Sequence, residues 1–250
     1  MIDPASLSPW LLLVAPIVIV VAYTVLGLSG FGATAISVPI LAHFLPVTFL
    51  VPLVVLLDLV ASLALGIAHR EHVSREELKG LVPWMFVGFA LGVTALVGVP
   101  DDSLRIALGF FTAALGIHAI LNPALTRTIS KLWVIPAGIV GGAVATVFGA
   151  GGPIYATYMS GRTQDKGVLR STISALISVS AFSRAIVYAV TGLLLHVAIF
   201  VGAAILAPFA WIGLKVGQRI HVGLSNEDLR RAIGFLLVFT GTSLLLRAFL

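Results

Sequence analysis

The sequence predicts an all-α integral membrane protein: a polytopic helical bundle of two inverted-topology repeats, with short discontinuous helices after glycine-rich breaks. Three observations predict it. Hydrophobic residues make up 59% of the 250 and charged residues only 10%, against about 25% charged in a soluble domain; mean hydropathy is +1.12. Ten hydrophobic runs follow one another with short polar connections, and most reach the ~20 residues that a membrane span needs. The connections alternate between base-rich and base-poor, and the second half of the chain repeats landmarks of the first.

The runs lie near 10–28, 33–45, 47–68, 80–98, 103–121, 132–149, 153–160, 167–192, 196–217 and 229–250. The stretch before the first run carries an acid, Asp3, and no base. A secretory signal begins with positive charge, so the first run is expected to be retained. Runs 33–45 and 153–160 are too short to span, and each directly follows a glycine cluster. Gly30-Phe31-Gly32 precedes the first; Gly149-Ala150-Gly151-Gly152 precedes the second, with Pro153 opening it. Glycine inside a membrane helix weakens it and lets the backbone open, and proline suits the first position of a new helix. Each cluster therefore reads as a break between two helices. Irregular backbone survives in hydrocarbon only where protein buries it or a water-filled cavity faces it. Paired interruptions in corresponding halves point to a transporter's substrate site. The plainer reading is a glycine motif that lets two helices pack closely.

Basic residues give the orientation. They gather at Arg70, Arg75 and Lys79, at Arg127 and Lys131, at Arg162, Lys166 and Arg170, and at Lys215, Arg219, Arg230 and Arg231. The connections around Pro46, 99–102 and 191–196 carry none; only Arg105 and Arg247 fall on the base-poor side. By the positive-inside rule the basic loops are cytoplasmic. The two sets interleave if all ten runs change sides, which puts both termini outside.

The repeat is visible residue by residue. Pro83, Gly88, Gly92, Leu104, Arg105, Gly109, Phe110 and Gly116 recur 125 positions later as Pro208, Gly213, Gly217, Leu229, Arg230, Gly234, Phe235 and Gly241. Gly30 and Gly32 recur at a spacing of 119 as Gly149 and Gly151. The units are 1–125 and 126–250, within one membrane domain. Five runs per unit, an odd number, make the second an inverted copy of the first, an architecture of secondary transporters. Inversion brings the helix starts near Ala33 and Pro153 towards one another. A helix start presents unbonded N–H groups and the positive end of the helix dipole, which favours an anion.

At this point the residues resemble a known family. Gly27-Leu-Ser-Gly-Phe-Gly-Ala-Thr-Ala-Ile-Ser-Val-Pro39-Ile-Leu41, followed by Gly141-Gly142 and Phe148-Gly-Ala-Gly-Gly-Pro153, is similar to the TauE/SafE or sulfite exporter family, over essentially the whole chain. The resemblance implies a bacterial or archaeal inner-membrane permease for sulfite, sulfoacetate, other organosulfonates or related small organic anions. Ser29, Phe31 and Ala33 stand where richer glycine runs are common in that family, so the resemblance is stronger at the second break than at the first.

The candidate site residues follow from both readings. Arg184 lies in the middle of run 167–192, where a charge costs about 2.5–3.5 kcal/mol and normally faces a cavity or partner. Helical spacing puts Ser180, Arg184, Tyr188 and Thr191 on one face. A guanidinium can grip a sulfonate or carboxylate with two prongs; the competing role is a structural ion pair. Its partner would be Asp58, an acid embedded in a hydrophobic run with Ser62 on its face. Asp58 has three open roles: carrying a coupling proton or sodium ion, bonding the broken backbone, or neutralising Arg184. Gly30, Gly32, Thr34, Gly149, Gly151, Gly152, Pro153 and Tyr155 are expected at the substrate, with Arg184 and Tyr188. The hydroxyls of Ser29, Ser37, Thr157 and Tyr158 serve either as oxyanion donors or as partners of loose backbone.

Other classes find little footing. The net charge of +5 reports orientation rather than nucleic acid. There are no cysteines, no histidine pair at a metal spacing, and no Gly-x-x-x-x-Gly-Lys-Ser/Thr motif for ATP. An enzyme would need a nucleophile with a base, or a metal cluster, within the spans. The expectation is a secondary transporter of a small sulfur-containing or organic anion working by alternating access, with no cofactor. Its partners would be membrane lipid, a coupling proton or sodium ion, and in one arrangement a second copy. The alternatives are an anion channel of the same fold and a membrane-embedded enzyme.

Overall fold

The computed structural model describes residues 9–66, 72–121, 129–219 and 226–249. Among them are ten α-helices: α1 (Pro9–Ser29), α2 (Ala33–Leu41), α3 (Val47–Gly66), α4 (Arg75–Gly98), α5 (Asp101–Leu121), α6 (Val134–Phe148), α7 (Gly152–Ser160), α8 (Lys166–Val190), α9 (Val197–Arg219) and α10 (Asn226–Phe249). Each hydrophobic run has become one helix. Seven are long and apolar enough to cross a membrane, namely α1, α4, α5, α8, α9, α10 and α6 with the 3-10 turn before it. The chain is an all-α membrane protein.

The breaks form for reasons of backbone conformation. Gly32, the residue that caps α2, holds φ at +101°, a left-handed conformation that side chains strongly disfavour. Gly149 closes α6 in the same way, with φ +72° and its N–H bonded to Ala145 O at 2.9 Å, as glycine commonly ends a helix. Pro153 then sits in the first turn of α7, where no N–H is needed. At nine residues each, α2 and α7 rise only ~14 Å, about half of a ~30 Å hydrocarbon core. α2 is shorter than its run 33–45, because the chain turns from Ala42 to Leu45 through Phe44 N–H→Leu41 O and Leu45 N–H→Leu41 O bonds of 2.9 and 3.0 Å. That turn is apolar except for His43, so hydropathy alone does not separate it from helix.

The helices pair off. α4 lies on α6, α1 on α9 and α5 on α10, while α3 is pressed between α8 and α9. Glycines set the closest approaches. A Cβ on Gly88 would stand 2.2 Å from Ile139 O, and one on Gly213 would stand 2.4 Å from Val20 O. One turn further, Gly92 faces Ala143 O and Gly217 faces Thr24 O, at 2.7 and 2.1 Å. The contacting carbonyls are 119 positions apart, as the glycine breaks are, and the glycines 125. α5 and α10 meet reciprocally: Gly109 faces Gly241 O and Gly241 faces Gly109 O, and Gly116 and Gly234 do the same. Without side chains between them the backbones close to contact, the usual basis of helix packing where lipid removes the hydrophobic drive. α2 and α3 lie innermost, with Ser37, Val38, Leu41, Val47, Leu50, Val51, Val54 and Val55 fully buried. Large apolar side chains such as Trp10, Phe110, Phe200 and Phe235 face outward from the surrounding helices.

Candidate functional site

The two breaks meet. A Cβ on Gly149 would fall 2.0 Å from Thr34 Cγ2, and one on Gly152 would fall 3.2 Å from Phe31 Cβ. Where they meet lies a cavity that opens to the outside. Its wall contains Gly30, Gly32, Thr34, Asp58, Gly149, Gly151, Gly152, Pro153, Tyr155 and Arg184. The starts of α2 and α7 both open onto it, and the first N–H groups of any helix have no partner inside that helix. In α2 the first bond to close is Ile36 N–H→Gly32 O at 3.2 Å; in α7 both Ile154 and Tyr155 donate to Gly151 O at 3.1 Å.

A polar stripe of α8 completes the wall: Ser174, Ser178, Ser180 and Arg184. Arg184 is buried. One terminal nitrogen donates to Ala145 O at 2.8 Å, the other lies 3.5 Å from Asp58 Oδ2, and Nε has no partner. Asp58 accepts from Tyr23 Oη on Oδ1 and from Thr34 Oγ1 on Oδ2, each at 2.9 Å. A buried ion pair of this kind needs hydrogen bonds on its remaining lone pairs and protons to offset desolvation. Asp58 has them; Arg184 does not have all of its own. The Tyr155 and Ser180 hydroxyls are buried on the same wall, within hydrogen-bonding reach of one another. Arg184 Nε therefore remains an unsatisfied donor there, in a setting where an unmade bond costs about 1–3 kcal/mol.

Not every expected residue joins the cavity. Tyr188 is fully buried and donates to Thr146 O at 2.5 Å, tying α8 to the end of α6 rather than lining the wall. Thr191 lies just past α8, exposed, with its hydroxyl on Val187 O at 2.8 Å. Ser29 Oγ donates within its own break, 2.6 Å from Phe31 O and 2.8 Å from Val25 O. Thr157 donates to Pro153 O at 2.9 Å, and Tyr158 to Glu77 Oε2 at 2.6 Å. Ser37 is buried without a partner and away from the cavity. The residues that sequence reasoning missed are Tyr23, Ser174, Ser178 and the carbonyl of Ala145. Arg170, counted there only as a loop base, lies against the first break, with its Cγ 3.7 Å from where a Gly30 Cβ would be. The serines had a signal, since 174 and 178 recur at a helical i, i+4 step. Tyr23 had a weaker one, a hydroxyl deep in an apolar run.

At the basic end of the molecule, Glu77 of α4 accepts from Arg162 Nε at 2.8 Å as well as from Tyr158. This carboxylate holds the Arg162 guanidinium above its already high ordinary value. Arg162 also donates to Ile129 O at 3.0 Å, so the end of α7 is clamped to α4 and to the segment before α6.

Residues 15–244 match the family model described as "Sulfite exporter TauE/SafE". The chain belongs to the TauE/SafE family. Both breaks, Asp58 and Arg184 fall inside the matched stretch. A TauE/SafE chain is a membrane transporter. A curated relative from Comamonas testosteroni, named "Probable inner membrane transporter protein TsaS", is 23% identical over 193 residues, covering 77% of this chain and 81% of its own. No solved structure matches the chain significantly.

Proposed function

We propose that this TauE/SafE protein is a secondary transporter of a small sulfur-containing or organic anion such as sulfite, sulfoacetate or another organosulfonate. It works by alternating access in a bacterial or archaeal inner membrane, the location in the relative's name. One observation carries the reading: both glycine breaks, both short-helix starts and Arg184 line a single cavity. The unsatisfied Nε of Arg184, with the Tyr155 and Ser180 hydroxyls beside it on the wall, suits an oxyanion. Backbone N–H groups at two helix starts add positive potential without a mobile charge.

The packing pattern supports the rocking step. Exchanging α1–α5 for α6–α10 maps α1 on α9 to α6 on α4, and leaves α5 on α10 and α3 on α8 unchanged. That is how two halves related by a two-fold axis pack, and such halves rock about a central site.

The test is ligand-dependent thermal stabilisation of the full chain in detergent, with sulfite, taurine, sulfoacetate, acetate and phosphate, on wild type and Arg184→Ala. A sulfonate or sulfite is expected to raise the wild-type melting temperature and to leave the variant unmoved. The variant itself loses about 3–5 kcal/mol, because Asp58 stays buried without its cation. Stabilisation of both proteins to the same degree would remove Arg184 from the site.

A further inference from the structure

Asp58 and Arg184 are the charged residues of the cavity wall, and with both ionised the wall carries no net charge; Arg170 of α8 stands outside it beside Gly30, with a guanidinium nitrogen 3.5 Å from Gly27 O. An anion held by Arg184 would leave one unbalanced negative charge in a buried site, where it costs far more than in water. We propose that the site takes each anion together with one proton, and that the proton lands on Asp58. The step is simple: the Asp58 carboxylate gains a proton from water and becomes a carboxylic acid, while no bond in the anion is made or broken. The inference rests on the anion-transporter reading above and names its co-substrate.

The geometry favours this division of labour. Asp58 leans mainly on two neutral hydroxyls, Tyr23 and Thr34 at 2.9 Å, whereas its contact with Arg184 is long at 3.5 Å. Protonation removes the Coulomb hold on Arg184 yet keeps both hydroxyls in bonding reach. The guanidinium, with Nε already unpartnered, then turns its free N–H groups to the anion. Sodium fits worse: an ion on Oδ2 would sit beside a guanidinium nitrogen 3.5 Å from that same oxygen, two like charges at close range.

Among the described residues, the surroundings hold no better proton site. The titratable or charged groups next to Asp58 are Tyr23 from α1 and Arg184 and Tyr188 from α8, with Arg170 further along α8 beside Gly30. α2 contributes Thr34, and α6 presents the Ala145 and Thr146 carbonyls to Arg184 and Tyr188. α5 and α9 also pack on α3, but their ionisable side chains lie towards helix ends: Asp101, Asp102, Arg105 and His118 on α5, Lys215 and Arg219 on α9.

The experiment uses the full chain in detergent, in weakly buffered solution with a pH indicator. The probes are methanesulfonate and sulfoacetate, which keep their charge across neutral pH as sulfite does not. Mixing is expected to withdraw about one proton per anion bound. Over the range where that proton is taken up, affinity should fall about tenfold per pH unit. Asp58→Asn, which mimics the protonated acid, should bind without proton uptake and without that pH dependence. If the variant fails to fold, the wild-type proton count and its indifference to replacing sodium by choline decide the question. In proteoliposomes, methanesulfonate entry should be indifferent to a potassium-diffusion potential. Binding without proton uptake, or binding that requires sodium, overturns the inference and leaves the anion reading standing. No binding by either probe or by the anions of the thermal assay overturns both.

Discussion

The two glycine breaks are alike in the chain and unlike in the molecule. Each ends a long helix, and each opens a helix of nine residues onto the same cavity. In α2 eight of the nine residues are buried; in α7 only Tyr155, Tyr158 and Met159 are. α2 is held by packing, and its far end is closed by His43 Nε2 near Ser243 Oγ at 3.1 Å and by Arg247 donating to His43 O at 2.5 Å. α7 is held at its far end by the Glu77 clamp on Tyr158 and Arg162. Helices held by apolar packing open only with the global fold, whereas segments with few buried contacts open locally. The difference teaches that two similar helix starts can be held in different ways, one by burial of nearly the whole short helix and the other by polar ties at its far end.

The comparison can be broken most forcefully at the glycines. Gly149→Ala forces a left-handed residue to carry a Cβ only 2.0 Å from Thr34 Cγ2. Strain and overpacking together should cost about 2–5 kcal/mol, seen as a large drop in the detergent melting temperature. Gly32→Ala also strains the backbone, at φ +101° rather than +72°, but its nearest neighbour, Val25 Cγ1, is 3.9 Å away. It should cost only ~1–2 kcal/mol. Equal losses would mean that the two breaks are held equally.

The clamps come next. Glu77→Gln strips Arg162 of its charge partner and should cost about 1–3 kcal/mol. Hydrogen exchange should quicken in α7 and not in α2. Ser243→Ala, on α10 against His43 beyond the end of α2, should cost ~0.5–1.5 kcal/mol and leave α7 exchange untouched. Quickening in α2 after the Glu77 change would show the two short helices to be one cooperative unit.

The smallest effect concerns the long helix after each short one. α3, after α2, borrows its cap from a distant element, with Val47 N–H donating to Asp101 Oδ1 at 2.7 Å. α8, after α7, carries its own: the Asp165 carboxylate accepts from Gly167 and Val168 N–H at 2.8 and 3.0 Å. Those bonds, Val168 first, hold Asp165 below the ordinary carboxylate value. A lowered folded-state value means stability that is present above the unfolded value of ~3.9 and lost as pH falls through the folded one. The difference in melting temperature between wild type and Asp165→Ala should therefore shrink as the solution is acidified below that range. A difference that persists in acid would assign the cap to something other than the carboxylate.

Much of the fold and part of the site are legible in the sequence, for physical reasons. Hydropathy locates ten helices because a helix satisfies its own backbone groups where water is excluded. It misses the end of α2 because the turn from Ala42 holds a single polar residue, His43, between apolar ones. Asp58 and Arg184 stand out because a charge in an apolar run is too costly to be incidental. Helical spacing puts Tyr188 on the Arg184 face but gives no depth along the helix axis, so its use as a tie to Thr146 O is invisible. The Ala145 carbonyl is invisible too, since a backbone acceptor leaves no mark in residue identity. Tyr23 becomes meaningful only once folding brings α1 within 2.9 Å of Asp58.

The glycine seams have a further consequence. Gly88 against Ile139 and Gly213 against Val20 are one surface solution met twice, and the α5–α10 seam is a surface that fits itself. A contact that fits itself needs to be invented only once. In the α5–α10 seam one pattern of two glycines, seven residues apart, serves both faces, where two unlike surfaces would need two patterns matched to each other. The same economy constrains later drift: a methyl group on either side of the self-fitting seam wedges it open, while the lipid-facing residues a turn away stay free to change.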